Sequence, residues 1–293
     1  MSLPAADADR AMSFIIPDRH ARGRIVRLGR ALEDVLSAHG YPPVIEALLA
    51  EGLVVTALLG AMLKDLTGQL TMQAQTEGGA VELLVCDYRG GELRGYVKHD
   101  ADAVAALPKD ADLPALFGKG YLAITFDQPA SNERYQGIVP CEGASLAEAV
   151  ENYFAQSEQI PSLVRVAVEG ELAGGLLLQH LAEGEDGRER LHTRLDHPEW
   201  EHVAILGATI KPEELTDATL PLETLIWRLF NEEREVRVLG TVPLARGCRC
   251  DVAHIRSVIE RFSLKDRAQM MDETGVIRVD CEFCARSFPV ELD

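Results

Sequence analysis

The chain has 293 residues, 47% of them hydrophobic, and a formal net charge of −18. This length allows one large domain with its own core plus a small additional one. A surface this acidic repels phosphate backbones and gains nothing from counterion release, so nucleic acid is a poor default partner.

The N-terminal region shows no targeting signal. Residues 1–14 contain Asp7 and Asp9 and lack a basic stretch followed by an apolar run, so we expect no secretory signal peptide. The longest apolar stretch, 44–63, is interrupted by Glu46, Glu51 and Gly52, which favours a buried helix over a membrane span. We therefore expect a cytoplasmic protein with no membrane partner.

The first 182 residues are predicted to form an α+β core domain built on an antiparallel sheet with packed helices. Helical spacing of apolar residues predicts helices at 25–36 and 44–63, and a capping box of Ser145 and Glu148 predicts a third that continues to 154. Alternating apolar and polar residues predict strands at 70–75, 81–88, 93–98, 121–127, 163–168 and 176–181. The last two strands are predicted to be joined through Gly170, Gly174 and Gly175.

Residues 183–245 are predicted to form a helical linker. The segment 183–190 is too polar to bury and indicates a domain boundary, and apolar stripes predict short helices at 200–210 and 222–230. Helices of this length need a surface to pack on. The linker could therefore act as a switch, although the rarity of bistable elements favours a permanently docked subdomain on sequence alone.

Four cysteines mark residues 246–293 as a separate metal-binding domain. Cys248 and Cys250 form a C-x-C pair, and Cys281 and Cys284 form a C-x-x-C pair beyond a predicted helix at 252–262. Two close thiolate pairs supply the four soft, tetrahedral ligands that one Zn²⁺ ion prefers. All four positions are then occupied by protein, which predicts a structural or redox-responsive metal and not a hydrolytic one. In a reducing cytosol, metal binding is also favoured over permanent disulfides.

Oxidation of such a site has predictable consequences. Zinc-bound thiolates become reactive toward peroxide or hypochlorous acid when the metal shell is breached, and zinc is then lost. The spacing predicts that a Cys281–Cys284 disulfide closes readily, whereas a Cys248–Cys250 disulfide requires backbone distortion and is easily reduced. Because metal binding supplies the folding free energy of so small a domain, oxidation should unfold it.

The remaining cysteines and histidines are predicted to have no catalytic or metal-binding role. Cys86 and Cys141 are predicted to be buried, inert thiols, and His197, His202 and His254 to be exposed helical histidines. The sequence contains no phosphate-binding loop, no G-x-S-x-G elbow and no H-E-x-x-H pair. We therefore do not expect an enzyme.

Several segments, together with the cysteine pairs, resemble the redox-regulated chaperones of the heat-shock protein thirty-three family. These segments occur in the family's order and span almost the whole chain: KDLTGQLTMQ at 64–73, ENYFAQSEQIP at 151–161, AGGLLLQ at 173–179 and WRLFNEE at 227–233. The resemblance implies an ATP-independent holdase that is inactive when reduced and zinc-bound. It further implies that oxidation of Cys248, Cys250, Cys281 and Cys284 expels zinc, unfolds the linker, promotes homodimer formation and allows unfolded client proteins to bind.

Two other classes of zinc-binding protein fit this sequence less well. A zinc-ribbon adaptor that binds nucleic acid or transcription machinery should be basic, whereas residues 246–293 carry eight Lys or Arg and nine Asp or Glu, a balance of about −1. A zinc-dependent thiol oxidoreductase needs a C-x-x-C at a helix N-terminus in a β-α-β context, which residues 279–288 do not indicate.

Overall fold

The computed structural model describes residues 8–63, 65–76, 78–108, 111–130, 132–181 and 198–290. These residues form two sheets around a long central helix, with further helices on the outer face of one sheet and a small C-terminal unit. The predicted α+β class with antiparallel sheets is confirmed. The boundary predicted at residue 182 and the polar segment 183–190 lie outside the described residues.

The first sheet, sheet A, has five antiparallel strands, in spatial order β10 (Arg237–Pro243), β1 (Arg10–Ile16), β2 (Ala21–Leu28), β9 (Leu172–His180) and β8 (Ser162–Glu169). The helix predicted at 25–36 was wrong over its first half: Ile25 and Leu28 lie in β2, and helix α1 spans only Arg30–Leu36. Both faces of β2 are covered, so its apolar residues do not alternate with polar ones. A strand buried on both faces cannot be distinguished from a helix by periodicity.

The second sheet, sheet B, has six strands, in spatial order β11 (Ala245–Arg246), β5 (Glu92–His99), β4 (Val81–Arg89), β3 (Gln69–Thr76), β6 (Gly120–Gln128) and β7 (Glu133–Pro140). The short strand β11 runs parallel to β5, and the other neighbours are antiparallel. The four strands predicted between residues 70 and 127 are confirmed.

Helix α2 (Pro43–Gly60) lies between the two sheets and contacts strands of both. It is long and apolar enough to cross a membrane by length and composition, but 72% of it is buried inside the protein, and the predicted buried helix is confirmed. The other helices of this part are α3 (Ala101–Ala105), α4 (Leu113–Phe117) and α5 (Leu146–Tyr153), with a 3₁₀ turn at Pro17–Arg19 and a π-helical turn at Phe154–Glu158. The Ser145 hydroxyl caps α5 by accepting the Glu148 N–H at 3.2 Å, whereas the Glu148 carboxylate accepts the Ala144 N–H at 2.7 Å.

Three linker helices, α6 (Pro198–Ala208), α7 (Pro212–Leu215) and α8 (Leu222–Phe230), cover the outer face of sheet A. They share one buried cluster with the strands, whose larger members are Met12, Phe14, Ile16, Ile25, Leu176, Leu178, Trp200, Val203, Leu222, Leu225, Ile226 and Phe230. The two predicted linker helices are confirmed. The segment predicted as a helical linker also contains a strand that was not predicted, β10 at Arg237–Pro243. Strand β10 is exposed at the sheet edge, so it lacks the apolar alternation that predicts a strand.

Gly174 and Gly175 lie inside β9 and not in the predicted turn. A Cβ atom on Gly174 would come within 2.3 Å of the Leu215 carbonyl oxygen, and one on Gly175 within 2.6 Å of Val54 Cγ1. The two glycines therefore let α7 and α2 approach opposite faces of the same strand.

The C-terminal unit, which we call the cysteine module (residues 246–290), contains α9 (Val252–Ile259), α10 (Leu264–Met270) and a hairpin of β12 (Ile277–Asp280) and β13 (Ser287–Val290). The predicted helix between the cysteine pairs is confirmed, and the Asp251 carboxylate caps its N-terminus. The apolar core of the module has only three buried residues, Ile259, Ile277 and Val290.

Candidate metal centre

The two cysteine pairs approach each other from separate backbone elements. Cys248 and Cys250 follow β11 directly, and the Gly247 N–H donates to the Leu93 carbonyl at 2.9 Å, which ties this segment to β5. A Cβ atom on Gly247 would come within 2.5 Å of Glu92 Cβ, so this close approach requires glycine. These contacts with β5 hold the C-x-C pair at the edge of sheet B without the help of a metal.

The second pair lies in the turn of the β12–β13 hairpin. The Cys281 carbonyl accepts the N–H groups of Cys284 at 3.3 Å and Ala285 at 2.8 Å, and the Cys281 N–H donates to the Arg286 carbonyl at 3.0 Å. Ala285 adopts a left-handed conformation with φ of 52°. This tight turn presents both sulfurs of the pair on the same side.

The four sulfurs form a compact cluster in which all lie within 4.8 Å of one another. The Cys248 Sγ lies 3.7 Å from the Cys281 Sγ, and the Cys250 Sγ lies 3.6 Å from the Cys284 Sγ. With Zn–S bonds of about 2.3 Å, the edge of a regular ZnS₄ tetrahedron is about 3.8 Å. The Cys248–Cys250 distance of 3.0 Å is shorter than that edge and well beyond a disulfide bond of about 2.05 Å.

The surroundings of the sulfurs differ between Cys284, where they favour a thiolate, and the C-x-C pair. Cys284 is buried and the other three cysteines are half-buried. Burial raises the pKa of the Cys284 thiol, but hydrogen bonds from the Arg286 side chain and backbone outweigh it and lower that pKa to about 6. Burial raises the pKa of Cys248 and Cys250. A bound Zn²⁺ ion holds all four sulfurs as thiolates.

The other residues considered from the sequence lie away from this cluster. His254 is exposed on α9, as predicted, and does not belong to the cluster. His202 lies on a helix, as predicted, but it is only half-exposed, and its Nε2 lies 2.7 Å from a Glu233 carboxylate oxygen. His197 lies outside the described residues.

The two isolated cysteines are buried, as predicted. Burial raises the pKa of the Cys141 thiol to about 11 and raises that of Cys86 even further above its ordinary value. Thiols with such pKa values stay protonated and unreactive near neutral pH.

Comparison with known proteins identifies the class to which this fold and cysteine cluster belong. The family model described as "Hsp33 protein" matches residues 9–291. A 33 kDa chaperonin of Caulobacter vibrioides is 40% identical over 97% of this chain and 95% of its own length. The 33 kDa chaperonin of Ectopseudomonas mendocina is 37% identical over 94% and 90%, respectively.

A solved structure shows the same fold. The crystal structure of the 33 kDa chaperonin (heat shock protein 33 homolog) of Thermotoga maritima superposes with a TM-score of 0.76 and 21% identity, and the match covers 96% of this chain and 94% of that one. The family model and the relatives at 40% and 37% identity place the chain in a class of chaperones. It belongs to the Hsp33 family, and the resemblance inferred from its sequence is confirmed.

Several structural features near the site were missed by sequence reasoning. Neither the pairing of β11 with β5 nor the contacts of Arg249 and Phe283 with sheet B was predicted. A two-residue strand carries no periodic signal, and contacts across about 180 residues of sequence leave no local pattern.

Proposed function

We propose that this protein is a redox-regulated, ATP-independent holdase that is inactive when reduced and zinc-bound. The observation that carries the proposal is the sulfur cluster itself: four thiol sulfurs within 4.8 Å of one another, in a module with only three buried apolar residues. A core this small contributes little stability, so the folded module depends on its metal. Cys248, Cys250, Cys281 and Cys284 are the zinc ligands and the redox switch.

Peroxide can supply the oxidising equivalents. In each pair, two thiolates and two protons react with one H₂O₂ to give one disulfide and two waters, so two equivalents of peroxide oxidise the four cysteines and Zn²⁺ is released. The Cys248 and Cys250 sulfurs are nearer to each other, at 3.0 Å, than either is to its cross-pair neighbour, at 3.7 and 3.6 Å, but all three distances are short enough for a small movement to bring the sulfurs into contact. Chain connectivity favours Cys248–Cys250 and Cys281–Cys284, because each pair stays close after the module unfolds, whereas cross-pair partners 33 or 34 residues apart separate.

The route from the module to the linker runs through residues 237–246. Strand β10 extends the edge of sheet A by pairing with β1, and β11 extends the edge of sheet B by pairing with β5. The same short segment therefore joins α8 to the C-x-C pair across both sheets. Loss of the folded module removes the contacts of Arg249 and Phe283 with sheet B. The short β11–β5 pairing and β10, an exposed edge strand, then remain as the restraints on this segment.

Undocking of the linker would expose an apolar surface suited to unfolding proteins. The sheet side contributes Met12, Phe14, Ile16, Ile25, Leu176 and Leu178, all at most 1% exposed, and the helix side contributes Leu222, Leu225 and Phe230. Exposed contiguous apolar surface of this kind binds other apolar surfaces, including a second copy of the chain. We propose unfolded client proteins as partners, a homodimer as the oxidised form and the cytoplasm as the location. The comparisons lend no support to the zinc-ribbon adaptor.

The test is a light-scattering assay with a chemically denatured client, in which zinc-loaded reduced protein is compared with peroxide-treated protein. We expect suppression of aggregation only after oxidation, together with release of one zinc ion per chain. A variant with Cys281→Ser and Cys284→Ser should not require peroxide for activity, whereas Cys141→Ala, the control, should behave like the native chain. Equal suppression by reduced and oxidised protein would refute the switch, and no suppression by either would refute the holdase.

A further inference from the structure

The cysteine module is attached to the outer face of sheet B by the residues enclosed within its two cysteine pairs. Arg249, between Cys248 and Cys250, donates from Nη1 to the Gln69 side-chain oxygen at 2.8 Å. Phe283, between Cys281 and Cys284, makes an edge-to-face contact with Tyr96 at 5.0 Å between ring centroids. The Arg94 guanidinium carbon lies 3.9 Å from the centroid of the same Phe283 ring.

These two attachment points are joined by a continuous polar network across β3, β4 and β5. The Gln69 amide nitrogen donates to the Thr71 hydroxyl at 3.2 Å, and that hydroxyl donates to the Asp87 carboxylate at 2.7 Å. Arg94 donates to the other Asp87 oxygen from Nε at 2.9 Å and from Nη2 at 2.6 Å. An arginine only donates, so Arg249 fixes the orientation of the Gln69 amide, and every bond along the chain is matched donor to acceptor.

The two ends of the network differ in how completely their charged groups are paired. Asp87 is buried and paired with Arg94, which gives a charge-assisted centre. Arg249, in contrast, has two buried nitrogens, Nε and Nη2, without a hydrogen bond among the described residues, and its Nε lies 4.0 Å from the Glu92 carboxylate. The Arg249 charge is therefore poorly compensated where the module docks.

We propose that Arg249 and Phe283, through the Gln69–Thr71–Asp87–Arg94 network, determine how firmly the cysteine module is docked on sheet B and therefore how readily it detaches. The sulfur cluster and the docking contacts are coupled by covalent geometry, because each docking side chain lies between two ligands of one pair. Any change that closes a pair or releases its metal displaces the enclosed side chain. Release of the module also returns the underbonded Arg249 guanidinium to water. Only the link to activation rests on the proposed redox function; the docking itself does not.

The test measures hydrogen exchange of the Ala245 and Gly247 amides in reduced, zinc-loaded protein. These N–H groups donate to the Gly91 and Leu93 carbonyls of sheet B at 3.0 and 2.9 Å, so their protection reports docking directly. Gln69→Ala lies on the core side, away from the metal ligands, and should accelerate exchange roughly tenfold, as expected for loss of a hydrogen bond to a charged group. Gln73→Ala is its matched control, because Gln73 lies on the same strand and its side chain donates to Gln75 instead.

A second pair of variants tests the other attachment point. Phe283→Ala should accelerate exchange at the same amides by a factor of roughly three to ten, as expected for an aromatic and cation–π contact. Phe262→Ala, its control, removes a partly exposed ring of the same module and should have no effect there. Both docking variants should also lose zinc faster when treated with peroxide, as followed with a chromogenic zinc indicator.

The outcomes separate this inference from the proposed function. Control-like exchange in Gln69→Ala and in a zinc-loaded Phe283→Ala protein would overturn the docking network. If Phe283→Ala fails to bind zinc, the result for Gln69→Ala decides. Accelerated exchange in a protein that peroxide does not activate would support the network while refuting the redox switch.

Discussion

The linker helices and the cysteine module both cover a sheet, but they are held in opposite ways. The linker packs on sheet A through a large apolar cluster in which Phe14, Phe230 and Leu222 are almost completely buried. The module packs on sheet B through the Arg249–Gln69 hydrogen bond, the contacts of Phe283 with Tyr96 and Arg94, and the short pairing of β11 with β5, and its own core has three buried residues. Apolar burial therefore secures the linker, whereas the sulfur cluster secures the module.

This difference shows where a chemical signal can act. Apolar burial does not respond to oxidants, so a linker held only in that way would stay docked. A module that depends on four thiolates loses its stability when they are oxidised. Because residues 237–246 connect the two units across both sheet edges, a local change at the sulfurs can reach a surface that has no redox chemistry of its own.

Removal of zinc should have the largest effect, and it should leave the central helix and its flanking strands intact. Structural zinc contributes about 10–16 kcal/mol in zinc-finger peptides, far more than three buried apolar residues can supply. Chelation under reducing conditions should therefore unfold α9 and the β12–β13 hairpin while α2 and its flanking strands stay protected, as measured by hydrogen exchange with mass spectrometry. Because ligand thiols must lose their protons, zinc should also be released as the pH falls. A module that stays protected from exchange after complete zinc removal would contradict the conclusion that the sulfur cluster stabilises it.

Phe230→Ala should weaken linker docking by about 3–5 kcal/mol. The ring is 1% exposed and its centroid lies 5.9 Å from that of Phe14. We expect loss of exchange protection in α8 and some suppression of client aggregation without peroxide. Trp227→Ala, on the same helix but 65% exposed, is the control and should change stability by less than about 0.5 kcal/mol. Similar effects of the two variants would show that α8 is not held by its buried face.

Arg27→Met should weaken the linker by a smaller amount, about 1–3 kcal/mol. Arg27 is fully buried in sheet A and donates to the carbonyls of Leu215, Leu220 and Glu214 at 2.8, 2.7 and 2.9 Å. Methionine keeps most of the volume but leaves these acceptors without the guanidinium, so exchange in α7 should accelerate. Arg30→Met, at a 72% exposed side chain, is the matched control. Unchanged exchange in α7 would mean that water replaces the arginine without loss.

Glu223→Gln should have the smallest effect, at most about 1 kcal/mol, because exposed ion pairs contribute little. Arg10 donates to both Glu223 oxygens, at 2.9 and 2.7 Å, and this hydrogen bond, acting against partial burial, lowers the pKa of the carboxyl. A depressed pKa in the folded state stabilises the protein above the ordinary glutamate value of about 4.3 and loses that contribution as the pH falls through the folded value. Chemical denaturation at pH 7 and near pH 3, with and without added salt, checks the sign. A variant effect that survives at low pH or high salt would exclude the ion pair as its cause.

Features encoded by a short sequence pattern were predicted correctly, whereas features that depend on distant parts of the chain were not. The spacing of Cys248, Cys250, Cys281 and Cys284 predicted a single cluster, and the four sulfurs do lie together. Strands β3, β5 and β6 alternate in sequence because one face is more exposed than the other. Strand β2 was mistaken for the start of a helix because α2 and the linker cover both of its faces, and this environment cannot be read from the strand itself.

The sequence alone determined the identity of the four clustered cysteines, the central helix and the acidic character of the chain, because each is set by residue type and short spacing. The tertiary structure decided which surface each unit covers. The contact between Arg249 and Gln69 joins residues 180 positions apart, and the path from Gln69 to Asp87 and Arg94 exists only because three strands are adjacent in sheet B. Such contacts depend on the folded positions of whole elements, and no local pattern of residues encodes those positions.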